Sequence, residues 1–324
     1  MKIFALKPNE DWVVDRMVDE WYAANPDIST HDPNEADIIW LTAGWCWKHI
    51  PRHLLESKIV VCSVFHIDPD KFGPDAQRDF LAREQFVDWY HTISGPSAAQ
   101  ISERAQKPVY IQPFWINQRL WCPLPKADCR EKHDLPKDGY LIGSFQRDTE
   151  GHDLITPKLA KGPDIFCDVV EELAKKKKKL SVVLGGWRRQ YVIKRLETAG
   201  IQYKYFERPD FKTVNELYNA LDLYVVGSRY EGGPQALFEC AANQTPIIST
   251  PVGYAQSVLG IYDKGGAIYK IEEKEVPLAG LKAAIRNTDT NANFDRVISL
   301  FGAQGMAPYI RFFERVIAES LILK

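Results

Sequence analysis

Glu231 and Glu239 stand with seven residues between them, beginning Gly232-Gly233-Pro234-Gln235-Ala236-Leu237. Two carboxylates around a glycine turn that opens a helix suit an anionic ligand that also carries hydroxyl groups. Proline fits a first helical position, where no backbone bond is lost. The N–H groups of Gln235, Ala236 and Leu237 then precede the intrahelical ladder, and the helix dipole adds partial positive charge to them. A phosphate placed there meets ready donors. Glu231 lies just before that pocket, near whatever the phosphate carries. Glu239 sits more than a turn into the helix, where it can accept from hydroxyls such as those of a ribose.

The elements that must hold these groups are legible on either side. Residues 223–227 and 246–250 are short, β-rich apolar runs, and 234–243 reads as the helix between them. Strand, glycine loop, helix, strand is one turn of a doubly wound α/β domain. Upstream, strands are expected at 2–6, 36–41, 59–65, 86–93 and 108–114, with a helix over 11–24. Residues 122–139 are rich in proline and charge and read as a linker. A second sheet then starts at 140–144 and continues at 180–184 and 203–206, with helices over 164–178, 191–198 and 214–221. Thr213 is expected to cap the last of these, with Glu216 in capping-box register. Beyond 253, helices are expected at 278–286 and 307–323, with a polar loop at 288–293.

Composition narrows the classes. A chain of 324 residues has room for two domains, and a net charge of −2 gives no electrostatic case for a nucleic-acid partner. The six cysteines (46, 62, 122, 129, 167 and 240) include no Cys-x-x-Cys, and no pair of histidines has metal spacing. No Gly-x-Gly-x-x-Gly supports a dinucleotide site. No run approaches the roughly 20 apolar residues that span a bilayer. The opening Met-Lys-Ile-Phe-Ala-Leu-Lys reads as a strand and not a signal peptide, so a cytoplasmic protein is expected. Lysines 175–179 form a basic run at a helix end; a solvated end is the reading, with contact to an anionic membrane surface the alternative.

The stretch from Ser228 to Gly253 resembles glycosyltransferase family 4, whose fold is GT-B. The resemblance implies two Rossmann-like parallel-sheet domains facing each other across a cleft. The first would comprise 1–122 with a returning C-terminal helix at about 307–324, the linker 123–138, and the nucleotide-sugar donor domain 139–306. It also implies roles. Glu231 contacts the donor sugar and Glu239 the ribose. Val60-Val61-Cys62-Ser63-Val64-Phe65-His66 ends a strand on a histidine that matches the one lining the donor sugar. Arg147 and Lys161, with Lys158 as rival to the second, match the cations that clamp the diphosphate, together with Gly232, Gly233 and the helix N–H groups. Phe206 and Arg208 occupy the nucleobase region. His49, His53 and His91 have weaker claims.

The expected activity is retaining transfer from a nucleoside-diphosphate sugar to a hydroxyl acceptor. Neither metal nor cofactor is needed. The acceptor class is a saccharide or lipid-linked glycan of surface polysaccharide synthesis, with peripheral contact at the inner membrane face left open. Two features depart from the family pattern: a first domain of only about 120 residues, and Lys7-Pro8-Asn9-Glu10-Asp11 where a glycine pair usually follows the first strand. These support the rival of a catalytically silent nucleotide-sugar-binding subunit. A GT-B epimerase or phosphorylase is the other alternative, but its acid–base carboxylates or cofactor lysine have no evident position.

Overall fold

The computed structural model describes residues 1–11, 13–259, 285, 288–302 and 305–322. It divides into two compact units, Met1–Trp115 with Gln304–Lys324, and Ile116–Ala303. In the first, β1 (Ile3–Ala5), β2 (Ile38–Leu41), β3 (Ile59–Ser63), β4 (Trp89–Thr92) and β5 (Val109–Ile111) form a parallel sheet in sequence order. The crossovers carry α1 (Val13–Ala24), α2 (Arg52–Ser57), α3 (Pro74–Glu84) and α4 (Gly95–Ser102). Ile38, Ile39, Leu41, Val60, Val61 and Cys62 are wholly buried, as strands covered on both faces require. The strand expected over 108–114 is shorter, Val109–Ile111, its backbone bonds to β4 running from the Pro108 carbonyl to Gln112 N–H.

Inside this sheet runs a directed polar chain. Trp40 Nε1–H donates to Ser63 Oγ at 2.8 Å, and Ser63 Oγ lies 2.8 Å from His91 Nδ1. His91 Nε2 lies 2.9 Å from the Gln112 carbonyl, which only accepts, so the ring proton sits on Nε2 and Nδ1 accepts from Ser63. His91 is therefore a satisfied core histidine, and burial pushes it down to about 4. A folded value below the unfolded one of about 6.5 means that protonation favours the unfolded chain. Stability should be complete above pH 6.5 and fall by up to about 3 kcal/mol as pH drops through 4. Urea unfolding against pH checks this. His91→Gln should flatten that part of the slope, and an unchanged slope in the variant would contradict the assignment.

The second unit contains α5 (Lys126–Lys132), β6 (Tyr140–Ser144), α6 (Pro163–Ala174), β7 (Leu180–Gly186), α7 (Gln190–Thr198), β8 (Gln202–Glu207) and α8 (Phe211–Ala220). It continues with β9 (Leu223–Val226), α9 (Gln235–Ala242), β10 (Ile247–Ser249), α10 (Ala255–Leu259) and α11 (Thr290–Val297). Its sheet is parallel throughout, in the order β10-β9-β6-β7-β8. From β6 the chain winds outward through β7 and β8, then returns to place β9 on the other side of β6. That reversal makes the C-terminal ends of β6 and β9 a topological switch point, the place where open α/β sheets take ligands.

Several local expectations are corrected. The proline-rich stretch read as a linker holds α5, packed into the second unit by buried Cys129 and by Arg130, which donates to the Ala220 carbonyl and pairs with Asp222 at 2.7 Å. Helix α8 is capped by Asp210, whose Oδ1 accepts from Thr213 N–H at 2.7 Å, and not by Thr213. Glu216 is taken by Lys132 and His133 at 2.6 and 2.7 Å, so no capping box forms. The polar loop expected at 288–293 becomes α11 from Thr290, capped by Asp289. The helix expected at 278–286 lies outside the described residues apart from position 285.

The final helix, α12 (Ala307–Ile322), belongs to the first unit. Phe312 stacks on Tyr110 with centroids 4.2 Å apart, and Phe313 meets Trp21 and Trp40 edge-on at 5.5 and 5.2 Å. Each buried phenylalanine contributes roughly 1.5–3 kcal/mol.

Candidate functional site

Lys161 reaches its place because two glycines let two loops touch. Gly162 holds a left-handed φ of 59°, and a Cβ there would overlap the Gly227 carbonyl. A Cβ on Gly227 would in turn lie 2.8 Å from the Gly162 carbonyl. This backbone contact joins the loop after β6 to the end of β9. The Ala160 carbonyl reinforces it by accepting from Arg229 and Tyr230 N–H at 2.9 and 3.2 Å. Arg229 grips Asp164 bidentately at 2.9 and 2.7 Å, and Gln146 Nε2 donates to the Lys161 carbonyl at 2.7 Å.

Held this way, Lys161 Nζ forms an ion pair with Glu231 Oε1 in a site where the two side chains are 18% and 11% exposed. Ser228 Oγ donates to the same carboxylate oxygen at 3.1 Å. Thr250 Oγ1, just past β10, fixes Ser228 by donating to its carbonyl at 2.5 Å. A third glycine completes the cradle. Gly253 has φ 49°, and a Cβ there would overlap the Gly232 carbonyl and lie 2.7 Å from Gly233 N.

Helix α9 begins at Gln235, with Pro234 as its N-cap rather than its first residue. One expected donor is corrected: Leu237 N–H closes the first turn onto the Pro234 carbonyl at 3.0 Å and is not open to a ligand. Glu239 is buried on this helix, its Oε2 accepting from Tyr218 OH at 2.9 Å. Burial and the Glu239 charge hold the Tyr218 phenol far above its usual range, so it remains a donor.

Arg147 follows β6 by three residues, and its Nε donates to the Thr149 carbonyl at 2.7 Å. Burial and the charge of Arg188 together hold it below the usual guanidinium range. Phe206, on β8, is half-buried and meets His133 edge-on at 5.7 Å, while Arg208 lies 4.6 Å over the Trp187 ring. His66 belongs to the first unit; it is exposed, three residues beyond the last residue of β3, which is Ser63.

Two groups escaped the sequence reading. Ser228 and Tyr218 orient the two glutamates, yet nothing in their local sequence signals it. Asp148 and Arg189, wholly buried and 3.0 Å apart, support the loops after β6 and β7. The only hint was Trp187-Arg188-Arg189 at the end of an apolar strand, where cations have no core to join. Among the described residues, no group of three His, Cys, Asp or Glu side chains is placed to hold a metal ion.

Two Rossmann-like parallel-sheet units, with charged residues gathered at a switch point, define the GT-B fold. HepE of Anabaena, in complex with UDP and glucose, superposes with a TM-score of 0.74 over 100% of both chains at 14% identity. Its complex with UDP-glucose gives 0.72 at 13% identity, over 100% of this chain and 99% of that one. Sucrose-phosphate synthase from Thermosynechococcus elongatus gives 0.70 at 16% identity, over 95% of this chain and 78% of that one. A glycosyltransferase from Rickettsia africae gives 0.63 at 12% identity, covering 96% and 83%. At these identities the likeness is one of fold. Within the chain, residues 156–297, which include Lys161, Glu231 and Glu239, match the family model of glycosyl transferases group 1. No curated protein sequence matches the chain.

Proposed function

We propose that the chain is a retaining glycosyltransferase of the family 4 kind, moving a sugar from a nucleoside-diphosphate sugar to a hydroxyl acceptor. The observation that carries this reading is the Lys161–Glu231 pair at the switch point of β6 and β9, beside the glycine cradle that opens α9. The ammonium of Lys161, the guanidinium of Arg147 and the first N–H groups of α9 would meet the diphosphate, so its charge is stabilised as it departs. No metal ion takes part in this reading. Glu231 would position the donor sugar, Glu239 the ribose, and Phe206 with Arg208 the base.

Retention follows from attack on the face the leaving group vacates. The bond from the anomeric carbon to the phosphate oxygen breaks, the acceptor oxygen bonds to that carbon, and its proton passes to the departing phosphate. Complexes of HepE with UDP and UDP-glucose make UDP-sugars the first donors to try. A saccharide or lipid-linked glycan is the acceptor class we assign, in cytoplasmic assembly of a surface polysaccharide. Lysines 175–179, all exposed, would be the face turned to an anionic inner leaflet. No helix among the described residues is long and apolar enough to cross a membrane.

The reading is tested by thermal shift against UDP-, GDP-, ADP- and CMP-sugars. A donor at about 100 times its Kd adds about 2.7 kcal/mol to the folded state, which is several degrees for a chain of this size. One nucleotide class should shift the transition. No shift with any donor would contradict the reading.

A further inference from the structure

Three guanidinium groups converge on one indole at the edge of the second sheet. Arg147 follows β6, Arg188 follows β7 and Arg208 follows β8. Their Cζ atoms lie 5.5, 4.7 and 4.6 Å from the Trp187 ring centroid. Among the described residues their carboxylate neighbours are Asp153, which feels Arg188, and Glu150, which acts on Arg147. Two of the guanidinium groups are fixed through single bonds to carbonyls: Arg147 Nε to Thr149 at 2.7 Å and Arg188 Nη1 to Gly151 at 2.6 Å. The Nε of Arg188 is buried with no acceptor.

The backbone is bent to this arrangement. Arg188 and Arg208 both adopt left-handed φ, 57° and 44°, which side chains other than glycine disfavour. Arg208 N–H donates to the Gly186 carbonyl at 3.1 Å, tying the end of β8 to the residue before Trp187. Two acidic residues offset part of the cluster's charge: Asp153, which accepts from Ile155 and Thr156 N–H at 3.0 and 3.1 Å and from the Thr156 hydroxyl, also feels the charge of Arg188, and Glu150 acts on Arg147.

Like charges held together with a buried, unsatisfied N–H repel one another when empty and attract an anion. Guanidinium forks match the oxygens of a phosphoryl group, and several of them together suit a multiply charged one. Lys161, by contrast, already has Glu231. We propose that Arg188 and Arg208, with Arg147 at their edge and Trp187 as an aromatic wall, form a phosphoryl-anion subsite additional to Lys161, Arg208 serving the phosphoryl group in place of the base and Phe206 alone remaining for the base. The phosphoryl group has two sources: the diphosphate of a donor nucleotide lying along the strand ends, or a phosphate on a separate molecule.

Calorimetric titration of the whole chain with inorganic pyrophosphate tests this. The wild type should bind, with affinity that falls as salt rises. The double variant Arg188→Gln, Arg208→Gln should bind about 10-fold more weakly or worse while melting at the same temperature. Arg208 is exposed, so Arg208→Gln alone keeps the test valid where the double variant melts early. Displacement of pyrophosphate by UDP assigns the subsite to the donor; binding that persists in saturating UDP assigns it to a second molecule. Wild-type affinity in the variants, or no binding by the wild type, overturns the proposal. Pyrophosphate binding that tracks the two arginines while no nucleotide sugar binds would sink the transferase reading and leave this subsite standing.

Discussion

Glu231→Ala is expected to lower the rate of sugar transfer about 100-fold or more, and Lys161→Ala to do the same, the scale of a lost preorganised charge. Each residue is held by several independent contacts, so its position is fixed before any donor arrives. Lys161 is set by the Gly162–Gly227 contact, the Arg229–Asp164 fork and Gln146; Glu231 is set by Ser228, itself held from Thr250. Substitution at either end also leaves the other with an altered charge balance, because the two meet in a site where water is scarce. Glu231→Gln separates charge from shape: it keeps the Ser228 contact geometry but should recover little activity. Steady-state transfer rates with the donor that stabilises the chain check this. Rates near those of the wild type in either alanine variant would contradict the roles given.

The largest expected loss of stability lies elsewhere. Asp148→Ala or Arg189→Ala should each destabilise the chain by about 3–5 kcal/mol, the cost of leaving one buried charge without its partner. Both side chains are essentially inaccessible. Arg189 also donates to the carbonyls of Ser144 and Gly185 and, at 3.1 Å, to Ser144 Oγ, so it joins the ends of β6 and β7. Burial raises the Asp148 carboxyl more than Arg189 lowers it, as expected where desolvation competes with attraction. Replacing both residues with apolar ones should therefore cost less than replacing either. Chemical denaturation of the two single variants and an apolar pair decides it. Single variants within about 1 kcal/mol of the wild type would rule out this role.

The unit that carries the chemistry was legible because its signals are local. The β9 and β10 runs, the glycines and the helix between them lie within 30 residues, and each element's period or punctuation names it. The same holds for α6, whose apolar face is spaced at helical intervals from Ile165 to Leu173. What was misread depends on distant partners. Thr213, with Glu216 three residues on, reads as a cap, but the helix starts earlier: Asp210 caps α8 and Thr213 lies in its first turn. Only the fold brings Lys132 and His133 across to claim Glu216.

Helix α5 was hidden because Arg130 finds Asp222 some 90 residues away and few apolar side chains mark the segment. Helix α11 is built from Thr, Asn and Asp, weak helix formers, and forms because Asn293 and Val297 are buried by tertiary contact. The arginine cluster likewise joins positions 147, 188 and 208, which no window of sequence shows together.

The central claim is that the Lys161–Glu231 centre turns over a nucleotide sugar. Its most direct test is nucleotide release from UDP-glucose, and from any other donor that stabilises the chain, by the wild type and by Glu231→Ala side by side. The account predicts slow release by the wild type, faster with a sugar acceptor present, and release at least about 100-fold lower in the variant. Binding of a donor with no release from the wild type under any acceptor, or equal release from both proteins, would contradict it.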